Sequence, residues 1–134
     1  MSTANATGLA DDARGSSRAT PMTEPRLKTA LWVQAQVRTC DIALLPIAVR
    51  RRGDPDAGAV LLRLVRDKDL SLLLKRATTS GGQSGWMVVA GNAQVDDASA
   101  EAYIAREVAR DDDLWVIEIE DPYRRYRTDG PLLP

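Results

Sequence analysis

Apolar residues recur at three- and four-residue spacing from the start of the first patterned segment: Leu27, Ala30, Val33, Val37, Cys40 and Leu44. One stripe of that period predicts an amphipathic helix over Arg26 to Ala43. Pro25 precedes it and Pro46 closes it. The period then drops to two. Ile47 to Arg52 reads as a strand, and Arg52-Gly53-Asp54-Pro55-Asp56-Ala57-Gly58 is a dense turn signal. Ala59 to Arg66 and Leu70 to Arg76 form a hairpin around Asp67-Lys68-Asp69. A three-residue turn sets Leu64 against Leu72 and Leu62 against Leu74, which keeps one face almost purely aliphatic. The other face then carries Leu61, Arg63, Val65, Ser71, Leu73 and Lys75. A slip of one residue mixes the two sets, so this register is the expected one.

Thr78 to Gly85 is a Gly/Ser/Thr loop, and Trp86 to Ala90 a short strand ended by Gly91-Asn92. Asp96 or Asp97 caps a second helix that runs to about Arg110, with Ala100, Ile104 and Val108 inward. Asp111-Asp112-Asp113 belongs beyond its end, because three carboxylates oppose the negative end of the helix dipole. In the last strand, Leu114 to Glu120, Trp115, Ile117 and Ile119 alternate with Val116, Glu118 and Glu120.

The predicted fold is α+β, in the order helix, four strands, helix, strand. It is a mainly antiparallel sheet of about five strands with both helices packed on its aliphatic face. The last strand is expected inside the sheet, since both its faces carry apolar residues and its charges come late. Glu118 and Glu120 should then reach Arg63, Lys75 or one of Arg50 to Arg52. Trp32, Trp86 and Trp115 should be mostly buried in a chain with no Phe. Residues 1–24 read as a disordered tail, 25–121 as a single domain and 122–134 as a C-terminal tail. Two origins stay open for residues 1–21: a flexible tail, or translation from Met22.

Composition narrows the chemistry. The 134 residues suit one domain, and 44% hydrophobic with 28% charged content reads as globular. With no histidine, His-ligated metal sites and Ser-His-Asp or Cys-His catalysis are excluded. The one cysteine, Cys40, lies on the apolar stripe and reads as a small core residue. A lone Cys, no export signal and no long apolar run point to the cytoplasm and away from a membrane. Charge is uneven. Residues 26–76 hold eleven basic against five acidic side chains, net +6; residues 77–121 hold two against ten, net −8. The halves are expected to neutralise each other across one sheet, because the whole chain carries only −1.

Three segments together, Arg26 to Val33, Arg51 to Val60 and Asp113 to Asp121, resemble a bacterial family of short proteins known only as the fourteen-ninety-one domain of unknown function. The resemblance covers about residues 26–121. It implies a small stand-alone cytoplasmic protein and carries over no activity, substrate or site residue.

The most chemical-looking segment is the turn with Asp54 and Asp56. Two carboxylates two apart can hold a divalent cation. The element order also resembles the core of PD-(D/E)xK nucleases, and Pro55-Asp56 with Lys75 match two parts of that pattern. Position 73 is Leu where the acid belongs. Glu118 or Glu120 could substitute only with the last strand alongside. The structural alternative is a tight turn capped by the two aspartates, whose glycines supply positive φ. Thr79 to Gly85 lacks the ending of a phosphate loop. Tyr123-Arg124-Arg125-Tyr126-Arg127 mixes aromatics with arginine, which suits nucleic acid; the plainer reading is a solvated tail or an edge extension. With no nucleophile, acid–base pair or complete metal set, the expected role is a non-catalytic interaction or regulatory module with a protein partner and no cofactor. A nucleic-acid-processing protein with a degenerate nuclease-like core is the alternative. That reading makes Asp56, Lys75, Glu118 and Glu120 catalytic, and Asp54 and Asp56 metal ligands.

Overall fold

The computed structural model describes residues 27–134. The expectations for residues 1–24 lie outside the described residues. The elements are α1 (Thr29–Ala43), β1 (Ile47–Arg51), β2 (Val60–Asp67), β3 (Leu70–Thr78), β4 (Ser84–Val89), β5 (Val95–Asp96), α2 (Asp97–Arg110) and β6 (Trp115–Glu120). They form an α+β fold around one six-stranded sheet of order β1-β6-β2-β3-β4, with the short β5 paired to β3.

The β2–β3 hairpin has the register that the alternation demands: Leu64 faces Leu72 and Leu62 faces Leu74. A bulge between Val65 and Asp67 closes the turn. β6 lies inside the sheet, antiparallel to β1 and parallel to β2. Both helix starts follow elementary capping. Asp96 accepts a hydrogen bond from the Ser99 amide at 2.7 Å and caps α2. α1 has no side-chain cap; its Thr29 and Ala30 amides donate to the carbonyls of Asp56 and Pro55 in the turn between β1 and β2.

The two helices cover opposite faces of the sheet, which corrects the single-face expectation. α1 packs on the face of Leu62, Leu64, Leu74, Trp86, Trp115 and Ile117. α2 packs on Leu61, Leu73, Leu114 and Val116 through Ala100 and Ile104. Interior strands that are apolar on both faces need cover on both. Trp32, Trp86 and Trp115 are 8%, 0% and 1% exposed, so the aromatic core is as expected. The α1 stripe is shorter than its sequence period. Leu27 and Leu44 are exposed, while Trp32 and Leu45 are buried in their place. No helix among the described residues is long and apolar enough to cross a membrane.

Candidate interaction surface

The turn with Asp54 and Asp56 is built for packing. Asp54 Oδ2 accepts from the Ala57 amide at 2.8 Å and the Asp56 amide at 3.2 Å, which closes the turn locally. The Asp54 carbonyl takes the Trp115 indole N–H at 2.7 Å. Neither Gly53 nor Gly58 has positive φ. Both are needed because the turn lies against β6's approach: a Cβ at Gly53 would stand 2.0 Å from the Asp113 carbonyl oxygen, and one at Gly58 2.4 Å from it. Asp56 is exposed and faces Lys28 at 3.7 Å.

The residues of the nuclease-like reading do not meet. Asp56 stands at the start of α1, on the α1 side of the sheet. Lys75 is on the other face, 3.0 Å from Glu107 of α2. Glu118 lies beside Arg63, since β6 neighbours β2 and not β3. Glu120 is exposed at the end of β6, opposite Val65. Among the described residues no group of three or more acidic or cysteine side chains could hold a metal ion. Millimolar Mg²⁺ or Mn²⁺ is therefore expected to leave the melting temperature unchanged, as a native-state ligand would raise it. A rise abolished by Asp56→Ala would return the turn to metal chemistry.

Arg63 is buried, because α2 crosses over it. Its Nε donates to Ser71 Oγ at 2.9 Å, and its two Nη groups pair with Asp97 and Glu101 of α2. Arg50 pairs with the same Glu101 at 2.9 Å and with Glu118 at 3.3 Å. The basic first half and acidic second half thus neutralise each other through Glu118 and α2. Among the described residues Glu120 makes no ion pair. Cys40 is fully buried, and burial, helped by Asp41 and Asp121, pushes its thiol up. That favours the inert protonated form.

Residues 122–134 are mostly exposed, but they are tied to the domain and do not trail free of it. They run back over the sheet as an arm. The Asp121 carboxylate accepts the amides of Arg125 (2.7 Å) and Tyr126 (3.1 Å), and the buried Tyr126 hydroxyl donates to Gln36 of α1 at 2.6 Å. Pro131 and Leu133 bond the free edge of β4 at Trp86. Asp129 then latches the arm. Its carboxylate accepts the indole N–H of Trp32 at 2.7 Å and of Trp86 at 3.1 Å, and pairs with Arg76 at 3.1 Å. Burial opposes ionisation of Asp129, but the hydrogen bonds from Trp32, Arg76 and Trp86 outweigh it and hold the carboxyl below its usual range. A depressed folded-state value stabilises above the unfolded-state value near pH 4 and is lost as the pH falls through the folded one. Asp129→Asn is expected to lower stability by about 1 kcal/mol at neutral pH. Denaturant titrations of the two proteins should converge as the pH drops below the ordinary aspartate range.

The arm's first turn and the end of α1 are both exposed and lie next to one another. α1 ends in a Schellman motif: Leu45 N donates to Cys40 O at 2.8 Å and Leu44 N to Asp41 O at 3.2 Å. That motif places Leu44 in the left-handed region, at φ 61°, a position that favours glycine. Leu44 is 83% exposed, Ile42 78% and Tyr123 81%. Arg125 ties the two segments by donating to the Ala43 carbonyl at 2.6 Å, between Ile42 and Leu44. Leu31 and Arg38, also exposed, continue the outer stripe of α1 at helical spacing. The signal for this surface was in the chain: a helix ending Ile42-Ala43-Leu44-Leu45-Pro46 has no glycine for its C-terminal turn.

A family model described as a protein of unknown function, DUF1491, matches residues 27–128. The chain belongs to the DUF1491 family. The crystal structure of a DUF1491 family protein from Caulobacter crescentus CB15 is similar at 33% identity and a TM-score of 0.72, over 81% of this chain and 100% of that one. An NMR structure of a DUF1491 family protein from the same organism is similar at 31% identity, TM-score 0.70, over 83% of this chain and 100% of that one. A solution structure of a protein from A. tumefaciens is similar at 25% identity, TM-score 0.66, over 82% of this chain and 98% of that one. No curated protein matches. The DUF1491 match spans α1 through Thr128, so it takes in the apolar surface and the first half of the arm.

Proposed function

We propose that this DUF1491 chain is a non-catalytic interaction module of the bacterial cytoplasm. It docks a protein segment with apolar anchors and flanking carboxylates on the surface of Ile42, Leu44 and Tyr123. The observation that carries this reading is Leu44. A left-handed backbone costs a residue with a Cβ about 1–2 kcal/mol, and here the strain presents a large apolar side chain to solvent. Strain held at an exposed apolar position is characteristic of a binding surface. Arg38, Arg124 and Arg125 border it, which sets the sign of the partner's charge. Nucleic acid is less well served: Tyr126 is buried and leaves Tyr123 as the one exposed ring of the Tyr-Arg segment.

Leu44→Gly separates stability from function. Glycine takes φ 61° without strain, so the variant is expected to gain about 0.5–1 kcal/mol. Photo-cross-linking from position 123 in the host should give a protein adduct with the wild type and lose it with Leu44→Gly. An adduct that is nucleic acid, or one indifferent to Leu44→Gly, would overturn the proposal.

A further inference from the structure

A second site lies under the arm, on residues that take no part in the α1 surface. Between arm and sheet is a cleft of about 210 Å³. Its floor is Leu64, Leu72 and Leu74, and its walls include Arg66, Tyr126 and Arg127. The β2 bulge falls on Arg66, and bulges re-aim side chains. The Arg66 side chain is 12% exposed, and its Nε is buried with no hydrogen-bond partner. Asp121 lies 3.8 Å from that nitrogen, too far for a hydrogen bond, and its oxygens already accept the Arg125 and Tyr126 amides. Arg66 and Arg127 therefore line one cleft above an aliphatic floor.

A buried guanidinium nitrogen whose N–H has no partner calls for an acceptor nearby. We propose that the cleft binds a small aliphatic monocarboxylate, with its carboxylate on Arg66 and its chain on Leu64, Leu72 and Leu74. The guanidinium fork fits a planar carboxylate. Inorganic phosphate would leave the leucine floor uncovered. A cavity of about 150 Å³ takes benzene, so this one suits roughly eight non-hydrogen atoms, the size of hexanoate.

The test titrates hexanoate, 1-hexanol and inorganic phosphate into the labelled full chain by NMR. Hexanoate is expected to bind saturably, to shift the Arg66 Nε–H and the methyls of Leu64, Leu72 and Leu74, and to bind at least about tenfold tighter than hexanol or phosphate. Arg66→Met, shown folded by its melting transition, should erase the preference of hexanoate over hexanol. Should that variant not fold, Arg127→Met, on the arm side, must weaken hexanoate at least about threefold. No saturable binding at millimolar hexanoate, equal binding of hexanol or phosphate, shifts confined to other residues, or indifference to these variants would each overturn the proposal.

Discussion

Trp86→Ala is expected to cost about 3–5 kcal/mol, the range for emptying a fully buried large aromatic site. Typical domains have only about 5–15 kcal/mol in total. Trp86 joins more of the molecule than its volume alone implies. It is 0% exposed, it lies 5.6 Å from the Trp32 ring, and Arg76 sits 4.7 Å above it. Its backbone holds Pro131 and Leu133, and its indole N–H holds Asp129. Trp86→Phe keeps most of the ring and removes the N–H, so about 1–2 kcal/mol should be lost. Urea unfolding gives the two differences, and hydrogen exchange at Leu133 reads the arm directly. If the Ala variant loses under 1 kcal/mol, the core is not centred where the structure places it.

The parts of the fold legible in the sequence are those set by local period. The β2–β3 register follows from strict alternation, because a one-residue slip would bury Arg63 and Lys75 among the leucines. The place of β6 follows from apolar residues on both of its faces, and the cap of α2 from Asp96. The side taken by α2 was not legible. Arg63, Ser71 and Lys75 look like a solvated face, and only a tertiary partner makes them otherwise. Arg63 meets Asp97 and Glu101, 34 and 38 residues away, and their carboxylates allow a guanidinium to be buried at the sheet.

The candidate sites divide the same way. Asp54, Asp56 and two glycines look like chemistry because turn-forming and metal-binding residues are the same types. Their role is fixed by the backbone of Asp113, which no local pattern around position 53 reports. The arm reads as a tail because Asp121, Tyr126 and Asp129 are isolated polar or aromatic residues with no period. What makes them structural is contact with α1 and β4, up to 97 residues away. Leu44 falls on the helical period, and so the sequence places it in the core stripe. The left-handed turn one residue past α1 swings it outward and sends Leu45 in.

Asp121→Ala is expected to cost about 3–5 kcal/mol, as much as the loss of a core tryptophan. Asp121 is 0% exposed, and it ends β6 at the point where the arm begins. Its removal leaves the amides of Arg125 and Tyr126 without their acceptor and Arg66 without its ion-pair partner. Unsatisfied buried donors cost about 1–3 kcal/mol each, and an unpaired buried charge adds to that. Asp121→Asn keeps one carbonyl for one amide and should lose about half as much. Arg66→Met alone should cost less than Asp121→Ala, because the aspartate retains both amides. The double variant should then be less destabilised than the two single losses combined, by about 1–2 kcal/mol, since the stranded Arg66 charge is gone. Strict additivity in urea unfolding would mean that Arg66 and Asp121 do not interact across their 3.8 Å separation. The arm would then be tied down by its amide bonds and the Asp129 latch alone.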